Sequence, residues 1–238
     1  MRFSRGFRIQ RWTITPHCRF SAGGAVFIKP NSYLQISRIK SGPLSHNLLR
    51  TFLNRFSVLS EADKKALLEK LVMQTFPKGT VLQKEGQVPD HCYYVLKGCV
   101  RQYQILDGLE RTTDLYTPDH GTVSADCYVH RSPSYFYLEC VEETLLLVGE
   151  RDRDRQLYAE HPVLQQVILD VMQAEWLKSR KSLTRFKFSS PEERYLHLMK
   201  HRTDLLHRVP NHQIASYLGI TPESLSRIRR RISQRSNV

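Results

Sequence analysis

At 238 residues the chain has room for two domains, and its net charge of +13 with a pI near 9.7 invites an acidic partner such as nucleic acid. No apolar run reaches the roughly 18 residues of a membrane span. Five cysteines, an odd number without a Cys-x-x-Cys pair, argue against a disulfide framework or a clustered metal site and point to a reducing cytoplasm.

The charge is unevenly placed. Residues 1–60 carry ten Lys/Arg and no acid, residues 61–179 thirteen bases and nineteen acids, and residues 180–238 thirteen bases and four acids. A slightly acidic middle beside a basic end suits a sensor coupled to a nucleic-acid reader, although a basic surface can also be merely solvated. The Arg-rich stretch 1–44 lacks periodicity and reads as a poorly ordered basic extension. Three accounts stay open for it: a transit-peptide-like leader, an arm that touches DNA phosphates, and residues upstream of the true translation start, which we rank first.

Order is expected from about Ser45. Leu48, Leu49, Phe52 and Phe56 recur at helical spacing, and Ser60 caps a second helix with an acidic first turn that runs through Leu67 and Leu71. From Gln74 the period changes. Short β-rich runs are broken by Gly79, Gly86, Gly98 and the hairpin signal Asp107-Gly108, and further strands are expected at 111–116 and 136–148. Leu145 to Val148 is continuously apolar, as in a strand buried on both faces. Six or more such strands indicate a sandwich or jelly roll over 45–158. His161-Pro162 should open a long helix to about Ser182. Its stripe of Leu164, Val167, Ile168, Val171, Met172 and Leu183 is wide enough to serve both the roll and a partner helix. We place this helix and its hinge at 159–186, with Phe186 to Ser190 giving way to a helix capped by Ser190 and packed through Tyr195, Leu198 and Met199.

The last segment, 187–238, is the most informative. A helix over 212–218 carries Ile214 and Leu218 on one face, with Ala215 small at a crossing. Gly219 supplies a left-handed stop, and Thr221-Pro222 starts a second helix with Leu225 and Ile228 inward. Glu223, Ser224, Ser226, Arg227, Arg230 and Arg231 remain outside. This pattern is a helix-turn-helix with a basic reading helix, although two surface helices of an ordinary bundle share its simplest features.

The run IASYLGITPESLSRIRR resembles the DNA-binding domain of the Crp/Fnr family of bacterial transcription regulators, and the glycine spacing resembles that family's cyclic-nucleotide-binding jelly roll. The likeness covers about residues 46–235. It implies an α+β protein with a jelly-roll sensor, a dimerisation helix and a winged helix-turn-helix that acts as a homodimer on double-stranded DNA, with RNA polymerase as a further partner. The family reads bases through Arg-Glu-x-x-x-Arg. Glu223 and Arg227 match its last two members, and Pro222 replaces the first. Thr221, Pro222, Glu223, Ser224, Ser226, Arg227, Arg230 and Arg231 are therefore the expected DNA-binding residues. The chain stops at Val238, so a wing would have to use Leu205–Val209 or be rudimentary.

The family's nucleotide pocket uses a Gly-Glu pair and a later Arg. Here Gly121 is followed by Thr122, and Ser134 stands where the Arg is expected, with Arg131 displaced by three residues. Gly121, Thr122, Arg131, Ser134 and Tyr135 are the candidate ligand residues, with Asp126 and His130 on the same segment. Three readings stay open: another small-molecule effector, an empty scaffold, or rescue of cyclic nucleotide binding by Arg131. An enzyme is disfavoured. His91, His120 and His130 are isolated, and no Gly-x-Ser-x-Gly, phosphate-loop or His-Glu-x-x-His motif occurs. The competing function is a jelly-roll sensory protein whose output is not DNA binding.

Overall fold

The computed structural model describes residues 43–118, 122–123 and 125–235, so the basic extension expected over 1–44 lies almost wholly outside the described residues. Helix α1 (Pro43–Leu53) buries Leu49, Phe52 and Leu53. Helix α2 (Glu61–Lys70) begins at a capping box, in which Asp63 N–H donates to Ser60 Oγ at 3.1 Å and Ser60 N–H donates to the Asp63 carboxylate at 3.1 Å.

Eight strands follow among the described residues: β1 (Val72–Phe76), β2 (Val81–Gln83), β3 (His91–Lys97), β4 (Val100–Leu106), β5 (Leu109–Tyr116), β6 (Thr122–Val123), β7 (Tyr137–Cys140) and β8 (Thr144–Glu150). They form two four-stranded antiparallel sheets, ordered β1-β8-β3-β6 and β2-β7-β4-β5. The short helix α3 (Ala125–His130) sits between β6 and β7. Asp107 and Gly108 both take positive φ, 53° and 74°, as the two-residue turn joining β4 to β5 requires. The roll closes over Phe76, Tyr93, Val95, Val100, Phe136, Leu138, Leu146 and Val148. The apolar run in β8 is buried on both faces. Leu146 and Val148 enter this interior, whereas Leu145 and Leu147 pack outward in a second cluster with Leu49, Phe52 and Leu67.

Helix α4 (Arg151–Glu160), which apolar spacing does not reveal, buries only Leu157. Helix α5 (Val163–Phe188) seats Leu164 and Val167 in the outer cluster and leaves Leu169, Met172, Trp176, Leu177 and Leu183 exposed. It runs six residues beyond the expected end at Ser182 and absorbs the first part of the expected hinge. No helix breaker precedes Pro191, so the chain leaves the helix only at Ser189.

Four helices complete the fold: α6 (Pro191–His201), α7 (Thr203–Arg208), α8 (Asn211–Tyr217) and α9 (Pro222–Arg235). Met199 is 38% exposed rather than inward. Of the two alternatives for the wing, Leu205–Val209 is excluded. Leu205–Val209 forms most of α7 and its cap, Leu205 is fully buried, and no strand follows β8 among the described residues. The cause is local. Asp204 in the first turn and His207 and Arg208 in the last complement the helix dipole, while Leu205 is drawn into the helical core.

Candidate functional site

Helices α8 and α9 form a compact pair. Ile214, Ala215, Leu218, Leu225 and Ile228 are all buried, in one cluster with Tyr195, Leu198, Leu205 and Val209. Ala215, fully buried, brings the two helices close. Gly219 takes φ 68°, and the turn is closed by Gly219 N–H on Ser216 O at 2.9 Å and Ile220 N–H on Ala215 O at 3.0 Å. Ser224 N–H donates to Thr221 Oγ1 at 3.3 Å, the N-cap contact its spacing calls for.

The outer residues of α9 differ in what holds them. Glu223, Ser226, Arg227 and Arg230 are exposed, and Ser226 Oγ donates back to Pro222 O at 3.1 Å. The Thr221 hydroxyl, helped by backbone N–H and Arg227, holds the Glu223 carboxyl below its ordinary range, so it is an acceptor at neutral pH. Arg231 pairs with Glu192 at 3.0 Å, and Arg235 reaches the same carboxylate at 2.6 Å. Arg229, absent from the expected set, turns inward. Its Nε donates to the Tyr195 hydroxyl at 3.1 Å and its Nη1 to Asn211 Oδ1 at 2.8 Å. The signal was present in the spacing, since Arg229 follows Leu225 by four residues and so borders the buried face.

This helical body is fastened to the roll along β5, an edge strand of its sheet. Thr112 N–H donates to Ser216 Oγ at 2.9 Å. Arg202 Nη2 donates to Leu115 O at 2.8 Å and to Thr117 Oγ1 at 3.1 Å. Arg208 Nε reaches Glu142 Oε1 at 2.9 Å, and Cys99, Leu115 and Val141 of the roll join the helical core. Edge-strand groups that would otherwise face water are thus satisfied by the helix-turn-helix body.

Among the described residues, the expected ligand residues Arg131, Ser134 and Tyr135 do not converge on one polar site. Ser134 is buried but fully used: its hydroxyl donates to Phe136 O at 2.8 Å and accepts Phe136 N–H at 3.2 Å. Arg131 is exposed at φ 51°, in the left-handed position that ends α3. Tyr135 is 55% exposed, its ring edge-on to Phe136. His130 is exposed as well. Gly121 and the side chains of Thr122 and Asp126 lie outside the described residues. On the inner face of the second sheet, Tyr116 donates to Gln102 Oε1 at 2.9 Å and Gln104 Nε2 to Tyr135 O at 2.9 Å. Half-buried Cys92 and buried Cys99 and Cys140 are free thiols, each pushed up to about 12 chiefly by burial and therefore protonated.

Residues 73–161 match the family model of the cyclic nucleotide-binding domain. No curated protein matches the chain. Among solved structures, the c-di-GMP-responsive global regulator CLP of Xanthomonas campestris aligns with a TM-score of 0.57 at 17% identity, covering 72% of this chain and 91% of that one. FixK2 of Bradyrhizobium japonicum aligns with a TM-score of 0.55 at 16% identity over 70% and 86%. A putative cAMP-binding regulatory protein from Silicibacter pomeroyi aligns with a TM-score of 0.52 at 20% identity over 80% and 88%. The fold therefore defines a class: a cyclic-nucleotide-binding-type jelly roll joined through a long helix to a helical C-terminal body. Within that class the chain has the Crp/Fnr-like architecture. No helix among the described residues is long and apolar enough to cross a membrane.

Proposed function

We propose that this chain is a sequence-specific, non-enzymatic DNA-binding transcription regulator of the Crp/Fnr type, working in the cytoplasm as a homodimer and acting on RNA polymerase. The observation that carries this reading is the outer face of α9. Glu223 and Arg227 stand one turn apart, exposed, on a helix whose opposite face is locked into a helix-turn-helix core. A guanidinium there can donate twice to guanine, and a carboxylate can accept from cytosine. The homodimer is supported by α5, where Leu169, Met172, Trp176 and Leu183 are exposed at a spacing of three, four and seven residues. That seam suits a second copy of the helix.

The roll does not hold cyclic AMP in the family's usual way. The hydroxyl of Ser134 is spent on its own loop, and Arg131 is exposed at the end of a helix. Selection of duplexes from a random pool tests the main reading. A two-fold symmetric consensus that loses one specified base pair per half-site with Arg227→Ala supports it. Binding without sequence preference at moderate salt, or no binding at all, defeats it.

A further inference from the structure

Helix α9 carries a continuous charged stripe. Glu223, Arg227, Arg231 and Arg235 follow one another at intervals of four residues, one helical turn apart, and all four are exposed. The two halves of the stripe differ. Glu223 interacts with Thr221 and Arg227 at the start of the helix. Arg231 and Arg235 are both drawn to one carboxylate on α6. Arg231 Nη1 lies 3.0 Å from Glu192 Oε2 and Arg235 Nη1 2.6 Å from Glu192 Oε1, so each carboxylate oxygen accepts from a different guanidinium. We propose that Glu192 is an internal phosphate mimic, which withholds Arg231 and Arg235 from nucleic acid and so sets how many phosphates α9 engages.

The fold places Glu192 for this. Ser190 and Glu193 form a capping box, with Glu193 N–H donating to Ser190 Oγ at 3.3 Å and Ser190 N–H to the Glu193 carboxylate at 2.7 Å, which sets the first turn of α6. Three residues after Glu192, Tyr195 is buried in the helical core, and its hydroxyl accepts from Arg229 Nε at 3.1 Å. These contacts pin α6 beside α9 and leave the Glu192 side chain 20% exposed against the last two turns of α9. The remaining carboxylates of the helical body are engaged elsewhere. Glu193 serves the cap, Asp204 pairs with Arg208 at 2.8 Å, and Glu223 stands at the far end of the stripe. Among the described ion pairs, those of α9 both end on Glu192.

A carboxylate held by two guanidinium groups supplies what a phosphate would, charge-assisted hydrogen bonds to two oxygens. A DNA phosphate has to displace Glu192 to reach either arginine, and it meets the repulsion of that carboxylate as it does so. An arginine that keeps its carboxylate releases no counterion from the duplex, so each one withheld removes about 0.9 from the salt slope. The C-terminal end of a reading helix is where such backbone contacts would form. This inference rests on the DNA-binding reading of α9.

The test is a salt series of binding titrations of the full-length protein on a random-sequence duplex. Ion pairs this exposed contribute little to stability, so the isosteric Glu192→Gln keeps the fold, which a melting curve verifies. It should steepen the salt slope by about one to two and raise affinity at low salt roughly tenfold. Arg235→Gln should leave the slope of the native protein unchanged, yet lower it by about one on the Glu192→Gln background. An unchanged slope in Glu192→Gln overturns the proposal, and so does a slope already lowered by Arg235→Gln alone, since the arginine then reaches phosphate despite its carboxylate. Selection from a random pool tests the regulator reading separately: without a consensus that reading falls, while a slope that responds to Glu192→Gln keeps this one. If the native protein binds no duplex even at low salt, the regulator reading falls; salt-sensitive binding created by Glu192→Gln then upholds the mimic, and its absence overturns it.

Discussion

The ring of Phe186, near the end of α5, lies where a side chain on Gly219 would stand, 2.9 Å from a Cβ placed there. On the same ring Arg194 stacks at 4.4 Å, while its Nε donates to Leu218 O at 3.0 Å. The end of the long helix and the turn of the helix-turn-helix are therefore one joint. The close packing at this joint couples the end of α5 to the turn that precedes α9.

Gly219→Ala should cost at least the roughly 1–2 kcal/mol of a left-handed residue bearing a side chain, with a further penalty from the clash. Urea unfolding should show a lower midpoint. Adding Phe186→Ala should recover the clash but not the backbone strain, so the two changes should be less than additive; simple additivity would deny the contact.

Ser216→Ala leaves Thr112 N–H, in the edge of β5, without its partner. A loss of about 1–3 kcal/mol in unfolding free energy is expected, towards the lower end because the site is half-buried. The salt dependence of DNA binding should not change, which separates this fastening role from phosphate contact.

On α9 three neighbouring arginines should behave differently. Arg227→Ala should lose about 1–3 kcal/mol and blur one base pair per half-site. Arg230→Ala should weaken all duplexes alike and lower the salt slope by about one. Arg229→Ala should lower the melting temperature with base preference intact, since it removes the ties to Tyr195 and Asn211. Competition binding that showed Arg229 alone setting base preference would reverse the register assigned to the helix.

The roll and the helix-turn-helix are legible because their signals are local. Asp107-Gly108 defines a turn by backbone conformation alone, and Leu145–Val148 is apolar on both sides because helices cover one face and the roll the other. The N-cap Thr221 and the stop Gly219 likewise need no tertiary information. What escapes depends on partners distant in sequence. Helix α4 has one buried residue and no stripe, so periodicity cannot find it. The inward turn of Arg229 depends on Tyr195, thirty-four residues earlier. The persistence of α5 to Phe188 reflects the absence of a breaker, a weaker signal than a cap. The role of Ser134 was not legible, because the bonds its hydroxyl makes within its own loop depend on the local backbone path.

Trp176→Glu places a charge on the exposed seam of α5, where the native residue is 57% exposed. Sedimentation should show the dimer weakened by roughly 2–3 kcal/mol. A monomeric native protein would instead remove the basis for the seam.

Asp114 supplies a pH dependence. Burial raises its carboxyl above the ordinary range, against the pull of Leu115 N–H, at 2.7 Å, and of Arg202; Glu175 reinforces the rise, while Tyr116 and Tyr217 stand close by. The folded state therefore holds this proton to higher pH than the unfolded chain, and the group's contribution to stability, complete at low pH, is lost as pH rises through the folded value. Asp114→Asn should be more stable than the native protein at neutral pH, with the advantage gone below about pH 4, where the unfolded carboxyl is protonated as well. Denaturant curves at the two pH values check this; an equal difference at both would assign it to packing.

The fastening of β5 has a consequence for solubility. With the helical body in place, Thr112 N–H and Leu115 O are occupied and Leu115 is fully buried. A chain that ended before Pro191 would present that strand bare, with unpaired donors and acceptors beside newly wetted apolar surface, a template for strand addition by another molecule. The helical C-terminal body is thus also the guard that keeps the roll from polymerising through its own edge.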